Sequence, residues 1–408
     1  MLQIENYFSK NKLLHSKQFG FTRGRSTTDA GVELIHNIFE AWEASQDALG
    51  VFCDLSKAFN CVHHDILIRK LCHDGVKYIA LELFKSYLSN RIQVVDVNGK
   101  RSPGSVVTIG VPQGSILGIF LFLIYINDLP YYIRDDCDVV LFADDTSLVF
   151  KVKRNQPTLD DVNCTLTKIV HWFNINNLLL NSQKTKCIRF ITPNVKYANA
   201  NILMNGDKLS LVDNTKFLGI TLDPKLQWGP HITALTQKLS AAVFAVSKIR
   251  QLTNIDTARL VYFAYFHSLM SYGILLWGGA ADINTIFLLQ KRAIRSIYSL
   301  GSRYYLREKF KEIDIMTVAS QYIHANLMYV HKNIDKFKKV SDIHDRNTRN
   351  KNKLVTYKTR LHKISKSFKG YCIPFYNKIP NHIKALNYNK FKEITKRQLC
   401  NKAYYTIS

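Results

Sequence analysis

A mixed α+β domain followed by a helical one is the fold class this sequence predicts, on three observations. Strand-like and helix-like apolar patterns alternate from the start of the chain to about residue 228. From Trp228 onward the apolar spacing turns helical, as in "HITALTQKLSAAVFAVSKIRQL" and "NTIFLLQKRAIRSIYSL". Charge marks off a third region: residues 331–408 carry 20 Lys and Arg against 4 Asp and Glu, a net +16 of the chain's +25. That excess points to a polyanionic partner, nucleic acid or an anionic membrane surface. At 408 residues and 47% apolar content the chain is long enough to pack two or three domains.

Taken in order, "TTDAGVELIHNIFEAWEA" has helical spacing behind a Thr/Asp start, and "ALGVFCDL" reads as a short buried strand. "HHDILIRKLCHDG" and "KYIALELFKSYLSNR" read as helices, the first stopped by Gly75. His63, His64 and Asp65 resemble ligands, but sequence neighbours on a helix face different ways, so a helix N-terminal turn is the better reading. "IQVVDVNGK" is a strand leaving through an Asn-Gly turn toward "SVVTIGV". A long apolar helix, "ILGIFLFLIYINDLPYYI", follows "GVPQGS". "VVLFADDTSLVF" is then two strands around a turn, "LDDVNCTLTKIVHWFNINN" a helix, "CIRFIT" a strand and "KFLGITLD" a strand pair. "LVYFAYFHSLMSYGILLWGGAA" has the length of a membrane span but carries His267, serines, tyrosines and glycines, which favours buried helices. The eight cysteines show no C-x-x-C pair and no zinc spacing, and read as reduced, mostly buried thiols of an intracellular protein.

The chemistry gathers at Asp144 and Asp145, two charges set side by side in an apolar run where burial is costly without compensation. Alone, such a pair is more often a solvated turn. Asp54, where "VFCDL" ends, supplies a third carboxylate. Neighbouring strands lie about 4.8 Å apart, so Asp54 and Asp144 at paired strand ends can converge on one point. Hard oxygen ligands so arranged suit two Mg²⁺ ions that stabilise the attacking and leaving oxygens of a phosphoryl transfer.

"FCDLSKAFN", "GVPQGSILG", "FADDT", "LLLNSQKTKCIRF" and "KFLGITLD", in that order, closely resemble consecutive motifs of reverse transcriptases from non-LTR retrotransposons of the jockey-like type. The likeness runs from "QFGFTRGRSTTDA" to about residue 310. It implies a right-hand polymerase: partial fingers over 1–50, a ferredoxin-like palm over 51–228, a helical thumb over 229–330, and a basic C-terminal extension over 331–408. It implies that Asp54, Asp144 and Asp145 are the catalytic, metal-binding triplet for two Mg²⁺ ions, or Mn²⁺ in their place. By the same resemblance Leu55, Phe59, Gln113, Gly114 and Lys184 (or Lys186) face the incoming nucleotide. Arg23, Arg25, Pro112, Leu218 and Gly219 face template or primer. Phe59 matches the aromatic that walls off the 2′ position; a rigid ring there excludes a ribose hydroxyl by contact. For Phe59 plain core packing is the competing reading, and for Lys184 a solvated lysine.

The implied partners are an RNA template, a DNA primer and deoxynucleotides, with no membrane, an endonuclease supplied elsewhere, and the nucleus as the place of action. Thr22, Ile109 and Ile119 depart from the family pattern, at positions outside the acidic triplet. The chain begins after the family's first fingers strands, so an N-terminally truncated element with damaged fingers is expected. Two rival functions follow. One is a decayed fragment that retains only nucleic-acid binding; the other, an RNA-directed RNA polymerase, is disfavoured by "FADD" and Phe59.

Overall fold

The computed structural model describes residues 2–154, 158–192, 201–343 and 350–407. Two compact units divide the chain, Met1–Leu218 and Gly219–Ser408.

The first unit is built on four antiparallel strands: β1 (Asp47–Cys53), β2 (Asp138–Phe142), β3 (Asp145–Val152) and β4 (Lys186–Phe190), in spatial order β4-β1-β3-β2. β1 is buried along nearly its whole length, which is why it reads as a continuous apolar run rather than an alternation. Its register sets Val51 opposite Cys187 on one side and Leu148 on the other. Buried at the start of β1, opposite Val152 at the end of β3, the Asp47 carboxylate meets the Arg189 guanidinium at 3.1 Å.

Helices cover the sheet. α1 (Leu2–Lys10) inserts Phe8 edge-on against Phe120, with ring centroids 5.2 Å apart. α2 (Thr27–Glu43) opens with a capping box, in which Ser26 Oγ accepts from Asp29 N–H and the Asp29 carboxylate accepts from Ser26 N–H. Its inner face buries Ile35, Ile38 and Trp42, and the Trp42 indole N–H donates to the Phe190 carbonyl at 3.1 Å. Between β1 and β2 come α3 (His64–His73), α4 (Tyr78–Leu88) and α5 (Ile116–Ile126); between β3 and β4 comes α6 (Asp160–Ile175). His63 and His64 do form the start of a helix. The Asn98-Gly99 turn is left-handed at both residues, as a two-residue hairpin requires.

One expected element is shorter than the sequence implies. The apolar helix stops at Ile126, and a separate turn runs from Leu129 to Tyr132. Pro130 has no N–H to donate to the Ile126 carbonyl, so the first helix cannot run on through it, while a proline is tolerated in the first turn of the short helix that follows. The Asn127 side chain leaves the helix to bond the Leu13 carbonyl and the His15 N–H, both at 2.8 Å.

The second unit is helical: α7 (Gly229–Leu252) against α8 (Ile283–Tyr298), then α9 (Val318–Lys332), α10 (Phe368–Asn377) and α11 (Tyr388–Lys402). The apolar stretch near residue 265 forms short helices and a π-helical turn at Tyr262–His267. Among the described residues no helix is long and apolar enough to cross a membrane. The basic C-terminal segment is helical and shares a core with α9: Leu327 and Val330 join Cys372, Ile373, Phe391 and Leu399. The His331 ring stacks on Phe391 with centroids 3.9 Å apart. Trp172, Trp228 and Trp277 are all buried. All eight cysteines are unpaired; Cys53, Cys187, Cys372 and Cys400 are buried, and burial pushes the Cys187 and Cys372 thiols up to about 12.

Candidate active site

β2 and β3 form a hairpin in which Phe142 is paired with Asp145, so the whole turn consists of Ala143 and Asp144. Ala143 is left-handed, at φ 57°. On the other side of β3 the ladder with β1 ends at Cys53–Thr146, and Asp54 is the next residue along β1 toward Asp145. Asp54, Asp144 and Asp145 thus lie at one end of the two central strands.

Their mutual influence shows in Asp145. Asp145 stands at the exposed start of β3, where partial desolvation, followed by the charges of Asp144 and Asp54, raises its carboxyl above the usual carboxylate value. Among the described residues no three His, Cys, Asp or Glu side chains are drawn together closely enough to hold a metal ion as they stand. The donor set nevertheless suits a hard divalent cation: oxygen ligands only, carrying uncompensated negative charge.

Asp54 is fixed through its backbone. Its N–H donates to Thr185 Oγ1 at 3.3 Å, and its carbonyl accepts from Asn181 N–H at 2.9 Å. Thr185 Oγ1 in turn donates to the Asn181 carbonyl at 2.8 Å, closing a turn that bears the exposed Lys184. The residues after Asp54 pair with the same segment, Leu55 opposite Leu180 and Ser56 opposite Leu179. "LLLNSQKTKC" therefore serves as a brace for the first aspartate. The Leu55 side chain lies in the core, which leaves its backbone as the part able to face a ligand.

A second group forms around Phe59. Its ring lies 4.5 Å from that of Phe122 and is half-buried. Its carbonyl accepts from Val111 N–H at 2.9 Å, and Gln113 Nε2 donates to Asn60 Oδ1 at 3.2 Å, so the "GVPQGS" loop lies along the segment that holds Phe59. Gly110, at φ 88°, allows this approach: a Cβ there would stand 3.0 Å from the Asn60 backbone. Ser115 caps α5 by accepting from Gly118 N–H, which leaves Gln113 and Gly114 exposed at the mouth of the loop.

Arg23 and Arg25 line a cleft of about 580 Å³ with Lys12, Phe21 and Phe120. Arg23 is exposed; Arg25 is folded back over the Phe19 ring, 4.8 Å from its centroid, and donates to the Ser16 carbonyl. Leu218 and Gly219 stand where the first unit ends and the second begins, both left-handed at φ 45° and 80°.

Three contributors escape a reading by motif. Thr185 and Asn181 lie inside a recognised segment, but their bonds to Asp54 need the fold to be seen. Gln18 lies 125 residues from the acidic turn, yet its side-chain oxygen accepts from Ala143 N–H at 3.2 Å.

The sequence pattern of the family described as reverse transcriptase (RNA-dependent DNA polymerase) matches residues 2–222. The chain is 31% identical over 335 residues to a probable RNA-directed DNA polymerase from transposon BS of Drosophila melanogaster, covering 78% of this chain and 36% of that protein. It is 28% identical over 323 residues to the RNA-directed DNA polymerase from mobile element jockey of the same organism, covering 74% and 34%. The chain thus spans about a third of the length of these curated relatives. Among solved structures, telomerase from Candida albicans in complex with a fragment of telomeric RNA is similar over 82% of this chain and 53% of that one, at 12% identity and a TM-score of 0.45.

Proposed function

The chain belongs to the reverse transcriptase (RNA-dependent DNA polymerase) family, and on that premise we propose that it is the RNA-directed DNA polymerase of a non-LTR retroelement. The reaction is nucleotidyl transfer: the primer 3′-hydroxyl displaces pyrophosphate from a deoxynucleoside triphosphate paired to an RNA template. The single observation that carries this reading is the placement of Asp54, Asp144 and Asp145 at adjoining strand ends, with Asp145 raised by desolvation and then by the charges of its two neighbours. A carboxylate cluster lacking any cation is electrostatically unfavourable by itself and becomes favourable when divalent cations enter it.

Asp54, Asp144 and Asp145 would hold two Mg²⁺ or Mn²⁺ ions, whose charge favours the oxyanions that build up during phosphoryl transfer. The other residues work by position and charge. Phe59, backed by Phe122, would press on the sugar at C2′. Gln113 and Gly114 would meet the base pair and backbone of the incoming nucleotide, alongside the backbone of Leu55. Lys184 would neutralise the departing pyrophosphate. Arg23, Arg25 and Pro112 would contact template, and Leu218 and Gly219 the primer end. In this reading the β-α-β-β-α-β core is a ferredoxin-like palm, the helices from residue 229 are the thumb, and the basic C-terminal helices hold nucleic-acid phosphates. An endonuclease supplied elsewhere would prepare the primer, and chromosomal integration puts the site of action in the nucleus.

Primer extension on an RNA template, comparing the chain with Asp144→Ala, tests this. Extension that disappears in the variant supports the polymerase. RNA binding with no extension by either protein favours the rival in which only nucleic-acid binding survives.

A further inference from the structure

We infer that Gln18 is a positioning residue for the acidic turn, its side-chain oxygen holding the backbone that carries Asp144 beside Asp54. The inference rests on the reading of Asp54, Asp144 and Asp145 as the reacting centre.

Residues 17–20 run alongside β2. Leu141 N–H donates to the Lys17 carbonyl at 2.9 Å, and Phe19 N–H donates to the Leu141 carbonyl at 2.8 Å. This brings the Gln18 side chain, 1% exposed, to the start of the turn. There Oε1 accepts two backbone N–H groups, Gly20 at 2.9 Å and Ala143 at 3.2 Å. Gly20 makes the approach possible: a Cβ on it would fall 2.3 Å from the Ala143 nitrogen and 2.7 Å from the Phe142 carbonyl carbon. Ala143 is an L-residue in the left-handed region, a conformation that persists only where its surroundings hold it.

The other half of the amide sharpens the point. Gln18 Nε2 is buried and has no hydrogen-bond partner. A buried orphan donor is unfavourable, so a position needing only volume would be better filled by an apolar side chain. The feature the fold uses is the acceptor oxygen, and one of the two groups it accepts from belongs to the residue directly before Asp144.

The test uses the full chain with Gln18→Met, which has similar length and no acceptor oxygen there, and Gln18→Glu, which keeps an acceptor oxygen for the Gly20 and Ala143 N–H groups and puts a carboxyl group in place of the amide. Three quantities are read: amide hydrogen exchange of a peptide covering residues 139–147, binding of Mn²⁺ alone by calorimetry, and primer extension. In the Met variant, exchange at Ala143 and Asp144 should quicken about tenfold, the factor carried by one lost hydrogen bond. Mn²⁺ affinity should fall by a similar factor, and turnover should fall by roughly 10- to 100-fold with the deoxynucleotide KM unchanged, as expected of misplacement rather than lost substrate contact. The Glu variant, read at a pH low enough to keep its buried carboxyl protonated, should recover wild-type exchange. A folded Met variant with wild-type exchange and Mn²⁺ affinity overturns the inference, as do Met and Glu variants that exchange equally fast. Faster exchange in the Met variant, with no Mn²⁺ bound and no primer extended by any of the proteins, upholds the clamp and overturns the reading of the aspartates instead.

Discussion

Asp54 and Asp145 each stand one residue beyond the Cys53–Thr146 pair that ends the β1–β3 ladder, and after desolvation and the charge of Asp144 the charge of Asp54 helps to raise the Asp145 carboxyl. The sign of the consequence is fixed by linkage. A carboxyl whose folded value lies above its unfolded value of 3.8 binds more protons in the native state between those two values. Stability therefore falls as pH rises through that interval and stays lower above it. Asp145→Asn should raise the Tm at pH 7, and the gain should vanish near pH 3.5, below the ordinary carboxylate value of about 3.9. Mg²⁺ should raise the wild-type Tm and leave Asp54→Ala almost unmoved, since a cation stabilises only the state that binds it. Thermal melts across pH, with and without Mg²⁺, check both signs. A lower Tm for the Asn variant at pH 7 would mean that the carboxylates do not oppose one another.

Phe59 offers a test of substrate choice. Its ring is held against Phe122 and its backbone by Val111, so it cannot easily swing aside. If it bars the 2′-hydroxyl, Phe59→Val should leave deoxynucleotide incorporation largely intact and raise ribonucleotide incorporation by roughly 10- to 100-fold, the range for a pocket altered by a few carbons. Competition assays with paired deoxy- and ribonucleotides give the ratio. Equal discrimination in both proteins would return Phe59 to core packing.

How far this site is legible in the sequence depends on the range of each interaction. The hairpin at Asp144 is visible because strand alternation and turn residues are local signals, and β1 because a buried strand is a continuous apolar run. The early end of α5 also has a local cause, in Asn127 and Pro130, which apolar length alone outweighs in a reading by pattern. The brace on Asp54 from Thr185, and the clamp on Ala143 from Gln18, span more than 120 residues each and leave no periodic trace. The break at Leu218 also precedes the compositional shift near residue 230, because it falls within the last strand pair, whose second strand (Ile220–Leu222) and the turn at Trp228 come between them.

The sheet itself depends on a buried charge pair. Asp47 is fully buried, and both Nε and Nη2 of Arg189, itself almost fully buried, reach its Oδ2 at 3.1 Å. Arg154 Nε stands 3.4 Å from the other oxygen. Deleting Arg189 leaves the buried Asp47 carboxylate with only the partly exposed Arg154 as a cation, at a cost of up to about 3–5 kcal/mol. Arg189→Ala should lower stability by that amount. Replacing both residues, Asp47→Leu with Arg189→Met, should recover most of the loss, because an apolar pair of similar volume leaves no orphan charge. Urea titrations of the single and double variants decide it. A double variant no better than the single would show that the pair's geometry, not its charge balance, supports β1 and β4.

Two glycines of "GVPQGSILG" separate steric from conformational demand in the loop beside Phe59. A Cβ on Gly118 would stand 2.3 Å from the Pro112 carbonyl oxygen, whereas a Cβ on Gly114 would meet nothing within 4 Å. Gly114 has φ 84°, however, so its demand is for the left-handed region alone. Gly114→Ala should then cost only about 1–2 kcal/mol, the penalty of that conformation for an L-residue. Gly118→Ala must push Pro112 and Gln113 away from Asn60 and should destabilise by about 1–3 kcal/mol through overpacking. The two should also differ in function: displacement of Gln113 raises the deoxynucleotide KM, while strain confined to Gly114 leaves the Gln113–Asn60 bond in place. Steady-state kinetics at a temperature where both variants are folded measures this. A larger KM change at Gly114 than at Gly118 would show that the exposed turn, and not the anchored Gln113, meets the nucleotide.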